Sequence, residues 1–421
     1  GAINAELASD ALGKIQQDET HEEKAYELYA RARQRANQMG VKDFEDCKQL
    51  YEKALELDPN YALAYSGLGA LYVLQFIAKT DPADLDRGRI HLEKAIEIDP
   101  DTAEPYVYLG YYHSRKGNPK EASEALRKAL ALEDNHPVAN YFLGTGLLAA
   151  GTSGDEYNND LVTEGVGLLK RSIELAPDNQ AAYMMLACFY MMNGQYDAAT
   201  PLLEKNVELQ REQKGGHFKF VGGLTLYGNV LFRLRRLDLA RVTYENALTH
   251  LDPADHVYKQ TFLAQTHCGL GDVEYVQGNY DEAVKYYGRA ADSSAAHPES
   301  LGIGYFFVRG CAGLGKSFFR LAINRDARSK AREAEEALRD KKVYNFAGTW
   351  EAGDGLANAH LASCYGALQQ KEDTVRCLRE AVRLGWRELP QVEADEGFTV
   401  LRGDPRFDEI VAKLRSAKPL P

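Results

Sequence analysis

The sequence contains no run approaching the roughly 20 apolar residues that a helix needs to cross a bilayer. Its most apolar stretch, residues 61–77, is broken by Ser66, Gly67, Gly69 and Gln75. Positive charge is also in short supply: 50 Lys and Arg against 62 Asp and Glu leave a net charge of −12. Phosphate binding draws on a surplus of cations, so neither a nucleic-acid nor a membrane partner is expected. Residues 1–10 lack a basic segment followed by an apolar core, so no secretory leader is expected. The six cysteines, Cys47, Cys188, Cys268, Cys311, Cys364 and Cys377, form no CxxC pair and no cluster with histidine. That spacing supports neither the disulfide framework of a small secreted domain nor a zinc site. They read as buried, reduced thiols in a cytoplasmic setting. HExxH and GxSxG are both missing, and no catalytic residue, metal or cofactor is assigned.

What is present is repetition. A chain of 421 residues would ordinarily divide into two or three globular domains, but self-similarity overrides that expectation. Tyr106, Leu109, Gly110 and His113, followed by Gly117, Ala122, Leu126 and Ala129, recur as Tyr183, Leu186, Ala187, Tyr190, Gly194, Ala199 and Leu203. Further copies run through Leu224, Gly228, Leu231, Ala240 and Tyr244, then Leu270, Gly271, Gly278, Ala283 and Tyr287. Large residues three and seven apart make one apolar stripe on a first helix. A small residue beside the stripe (Gly69, Gly110, Gly144, Ala187, Gly228, Gly271, Gly315, Ala362) lets a second, antiparallel helix approach. Pro after the second helix, as in Asp58-Pro59, Asp99-Pro100 and Asp252-Pro253, punctuates each unit because it cannot extend the helix before it.

These positions resemble the tetratricopeptide repeat over residues 61–386. The resemblance implies an all-α, right-handed superhelical solenoid of eight to nine helix pairs. Successive small residues lie 41, 34, 43, 41, 43, 44 and 47 apart, so one interval alone keeps the family's basic length. The longer repeats are similar to those of kinesin light chains, and the extra residues are expected between helices at 75–87 and 151–160 and in long first helices. Residues 22–60 are expected to form a degenerate pair after a leader at 1–21, and 387–421 a cap over the last apolar face. The stretch from Gly385-Trp386-Arg387 to Pro405-Arg406-Phe407 is similar to the closing segment of bacterial multi-repeat sensor regions.

Residues 310–317 match GxxxxGK[ST], the pattern that wraps phosphates between a strand and a helix. A nucleotide-binding switch or enzyme built on Lys316 is therefore the alternative function. Against it, Leu314 and Gly315 fall at the repeat's own large–small pair, and a second helix is due over 325–340.

By resemblance to the family, first-helix positions 2, 5, 9, 12 and 13 line a concave groove. Position 12 gives Met191, Phe232, Tyr275 and Phe319 in later repeats, flanked by Met184. Such a line suits a peptide or helix ligand, although core packing is the competing reading of any stripe at helical spacing. Arg309, Lys316 and Arg320 take positions 2, 9 and 13 of one repeat, and Arg233 with Asn229 stands two repeats earlier. Bases gathered inside an acidic protein favour an acidic peptide, unless they pair within the chain with partners such as Asp272. The family's two-carboxylate clamp is incomplete here, since Thr225 and Gly269 stand where it needs Lys and Asn. The expected function is a non-catalytic protein–protein interaction scaffold or adaptor that binds a peptide or helix in this groove. Self-association is a further possibility to be tested.

Overall fold

The computed structural model describes residues 23–37, 44–79, 81–152, 158–212, 222–251, 258–300, 302–340, 354–384, 386 and 388–416. The expected leader, the Asp252-Pro253 step, residues 417–421, and Gly385 and Arg387 of the closing segment lie outside them. Every regular element among the described residues is a helix, and the fold is an all-α solenoid. Two compact units are distinguished. The first holds the described residues up to 147 with 167–177; the second holds 148–166, 178–212 and the described residues from 222 onward.

The first unit runs through α1 (Glu23–Asn37), α2 (Phe44–Leu57), α3 (Ala62–Lys79), α4 (Pro82–Ile98), α5 (Ala103–Arg115) and α6 (Pro119–Leu132). It also takes the start of α7 (Pro137–Thr152) and the end of α8 (Asn159–Leu175). The Arg- and Glu-rich α1 buries Ala25, Tyr29 and Ala32, one stripe at helical spacing, and the Tyr29 ring meets Tyr51 and Tyr61. The expected insertion at 75–87 is not a long loop. Residues through Lys79 continue α3 and Pro82 starts α4 at once, with Asp81 Oδ1 accepting from Ala83 N–H at 3.0 Å. Proline at the first helical position costs no hydrogen bond, so the added length goes into the helices.

The second unit continues with α9 (Gln180–Met192), α10 (Tyr196–Glu212), α11 (Gly223–Arg233), α12 (Leu237–Leu251), α13 (Lys259–Val276) and α14 (Tyr280–Ala296). It ends with α15 (Ile303–Arg320), α16 (Asn324–Arg339), α17 (Asp354–Ala367), α18 (Lys371–Arg383), the short α19 (Leu389–Ala394), a 3-10 turn (Glu396–Leu401) and α20 (Pro405–Ser416). Consecutive helices pair, and the first helices α11, α13, α15 and α17 also pack on one another in order.

Each tight turn inside a pair is built alike. In α5–α6, Gly117 N–H donates to the Ser114 carbonyl and Asn118 N–H to the His113 carbonyl, the two bonds of a Schellman close. The left-handed residue of that turn is Gly117, Gly194 or Gly278 in three pairs, but Arg235, Ala322 or Gln369 in three others.

Second-helix tyrosines fill the space that first-helix glycines leave. A Cβ at Gly228 would lie 2.5 Å from Tyr244 Cε1, and one at Gly269, on the next first helix, 2.4 Å from its Cζ. Tyr287 is gripped in the same way between Gly271 and Gly313, and both tyrosines are fully buried. Ala199, Ala240, Ala283 and Ala327 are buried at the helix crossings, as the repeat pattern requires. Behind α17 and α18 the core closes on Trp386, Val392, Phe398, Leu401, Ile410 and Leu414 from the C-terminal segment.

Candidate functional site

Residues of α9, α11, α15 and α17 face a single pocket of about 470 Å³, open to solvent. Helices that distant in the chain line one space because the layer of first helices curves around it. Met191, Phe232 and Leu356 form the apolar wall; Asn229, Arg233, Tyr305 and Arg309 form the polar one. Tyr196, at the start of α10, and Glu388, from the segment after α18, close the rest.

The four cations expected to face a ligand have different fates. Arg309 is buried, and its Nη2 meets Asp272 Oδ2 at 2.5 Å. Asp272 also accepts from the Tyr287 hydroxyl. Burial alone would push the Asp272 carboxyl up, but Arg309, with Lys316 and His360 behind it, holds it well below the usual carboxylate range. The guanidinium of Arg309 is likewise held charged: burial opposes the charge and Asp272 restores it. Its Nε is buried with no acceptor among the described residues. The preceding repeat has the neutral version of this arrangement, with the Tyr244 hydroxyl donating to Asn229 Oδ1 at 2.7 Å.

Arg233 reaches Glu388 Oε2 at 3.3 Å, and the Tyr196 hydroxyl donates to the same oxygen at 3.0 Å. Burial works against the Arg233 charge, while Glu388 and Tyr196 raise its pKa. Arg320 pairs with Glu396 and donates from Nε to the Tyr275 hydroxyl at 3.3 Å. Lys316 has no ion pair among the described residues; its Nζ lies 4.7 Å from the centre of the Tyr275 ring. Burial lowers the Lys316 pKa, and Asp395 and Asp272 more than offset it.

The apolar line divides as well. Met184 belongs to the core with Ala187, Leu203, Leu226 and Val230, not to the pocket, whereas Met191 packs in that core and also lines the pocket. Phe232 lines the pocket; Tyr275 is buried beneath Lys316, and Phe319 rests half-buried against the core. Sequence reasoning missed Tyr196, Glu388, Asp395 and Glu396. A signal for three of them exists, since residues 388–396 carry Glu388, Glu393, Asp395 and Glu396 and no Lys or Arg.

The GxxxxGKS match lies wholly inside α15, and Ser317 Oγ donates to the Gly313 carbonyl at 2.9 Å. A phosphate loop needs amide N–H groups free to converge on the ligand, and in a helix interior those groups are already bonded to carbonyls one turn back. No group of three potential metal ligands occurs among the described residues, and no described helix is long and apolar enough to cross a membrane.

Three family models match the chain: one for the TPR repeat over residues 44–75, and two for the tetratricopeptide repeat over 103–136 and 168–200. No curated protein matches the sequence. Similar solved structures include PilF of Pseudomonas aeruginosa, at 19% identity over 55% of this chain and 90% of that one, with TM-score 0.41. PilW, a type IV pilus biogenesis factor, is 20% identical over 56% of this chain and 96% of its own, with TM-score 0.42. A human IFIT1 dimer with PPP-AAAA is 18% identical over 82% of this chain and 69% of its own, with TM-score 0.48.

Proposed function

This chain is a tetratricopeptide repeat protein, and from that premise we propose that the first-helix groove of its second unit docks an acidic segment of a partner protein. Repeats of this kind serve as protein–protein interaction scaffolds, and the particular ligand follows from the side chains lining the groove. The observation that carries the reading is that Arg233 and Arg320, on α11 and α15, each hold a carboxylate supplied by one short acidic stretch. Lys316 lies one turn before Arg320 on α15 and has no ion pair among the described residues, which leaves its charge for a further anion. Met191, Phe232 and Leu356 beside Arg233 offer an apolar seat for a side chain next to the docked carboxylate. The scaffold is non-catalytic in this reading, and six buried thiols outside any disulfide support a reducing compartment.

Arg309 is not a ligand contact in this reading. Its charge is committed to Asp272 inside the repeat stack, so the ligand set is Arg233, Lys316 and Arg320 with Met191 and Phe232.

Panning random dodecapeptides against the full chain tests the proposal with no partner in hand. Peptides carrying two separated acidic residues should be enriched, and should be lost from an Arg233→Glu/Arg320→Glu protein of unchanged helicity. Enrichment that ignores acidic residues, or survives the charge reversal, rejects the acidic-segment reading.

A further inference from the structure

We propose that residues 388–396 are a built-in competitor for this groove, which a partner's acidic segment must lift away to bind. The proposal rests on the docking reading above and adds its regulation. The stretch makes the contacts that an acidic ligand would need. Glu388 takes both Arg233 and the Tyr196 hydroxyl through one oxygen, and Glu396, eight positions on, takes Arg320. Two of the three cations of the ligand set are thus paired by nine residues that include four acids and no base.

The flanks of the stretch are deeply seated, and its middle is held in the core through Val392. On one side Trp386 is buried and donates its backbone N–H to the Ala381 carbonyl at 3.0 Å. On the other, Gly397 lies so close to α17 that a Cβ there would sit 2.4 Å from the Ser363 carbonyl oxygen. Phe398 and Leu401 then enter the core, at 2% and 0% exposure. Between these anchors runs α19, of only six residues, which buries Val392. A helix so short has little stability of its own. The Arg320–Glu396 contact is open to solvent, with side chains 36% and 57% exposed, while Glu388 is 10% exposed.

Tethering at both ends keeps the local concentration of these carboxylates in the millimolar range. A free acidic peptide then sees the groove only for the fraction of time that the stretch is lifted, and its affinity falls by that fraction.

The probe is the tightest acidic dodecapeptide from the panning, labelled and titrated against full-length proteins by fluorescence anisotropy. A Glu388→Gln/Glu396→Gln chain should bind it about tenfold or more tightly than the wild type. Adding Arg233→Glu to that variant should remove binding. Equal affinity of the wild type and the Gln variant overturns the competitor and leaves docking intact. Binding indifferent to Arg233→Glu overturns docking itself. A second measurement needs no variant: on the wild type, a saturating dose of the peptide should speed amide exchange across 388–396 and not across 398–401. Unchanged protection of 388–396 in the saturated complex also overturns the proposal.

Discussion

Asp272 occupies in α13 the place that Asn229 occupies in α11, each accepting from the tyrosine that fills the glycine gap beside it. An amide does this without a counter-ion; a half-buried carboxylate inside the helix stack does not, and Arg309 is the charge that Asp272 requires. Arg309→Met should therefore cost about 3 kcal/mol in urea unfolding, because it strands a half-buried anion. Asp272→Asn/Arg309→Met, which restores the Asn229 arrangement, should recover most of that loss. A double variant no more stable than the single would show that the pair contributes more than mutual neutralisation. The folded pKa of Asp272 is depressed, so its stabilisation is present above the unfolded value and is lost as pH falls below about 4. The sequence brought Arg309 and Asp272 together as one of two outcomes. Both stand on predicted inner faces, and the choice depends on which way one long side chain turns across a helix boundary, which spacing does not encode.

At the scale of elements, the six Schellman turns separate what sequence can and cannot show. Gly117, Gly194 and Gly278 mark their turns openly. Arg235, Ala322 and Gln369 perform the same left-handed turn under residues that give no sign of it, so only half of these turns are readable from residue type. Side chains in this conformation cost about 1–2 kcal/mol, partly offset by the greater freedom of glycine in the unfolded chain. Ala322→Gly should thus raise stability by about 1 kcal/mol. Gly278→Ala should lower it by a similar amount, through torsion alone, since nothing lies within 4 Å of the added methyl. Thermal midpoints of the two variants shifting in the same direction would contradict this. The helix pairs themselves were legible because large and small residues recur in register. The added length at 75–87 was misread because extra residues in a repeat look alike whether they form a loop or lengthen a helix. The repeat pattern also could not reveal that 388–396 would return to the groove, since that stretch lies outside it and its partners are defined only once the helices have curved.

For the molecule as a whole, a half-buried and a buried histidine, His267 and His360, set the response to mild acid. Burial, with Arg289 adding to it, pushes His267 down to about 4, and His360, in contact with the Tyr305 hydroxyl, is displaced in the same direction by burial. Both would titrate near 6.5 in the unfolded chain. Below that value the unfolded state takes up protons that the native state refuses, so stability falls as pH drops from about 6.5 toward 4, by at most about 1.4 kcal/mol per pH unit and histidine. The urea midpoint should decline over that range, and His267→Gln should flatten the decline. The bond from Tyr196 to Glu388 has a different consequence, because 192 positions separate its two ends. During synthesis α9 to α15 leave the ribosome well before residues 388–396, so Arg233, Lys316 and Arg320 can be in place while the acidic stretch is still unmade. The nascent chain thus passes through a stage with an uncovered cationic groove, and acidic partners can meet it then without a competitor.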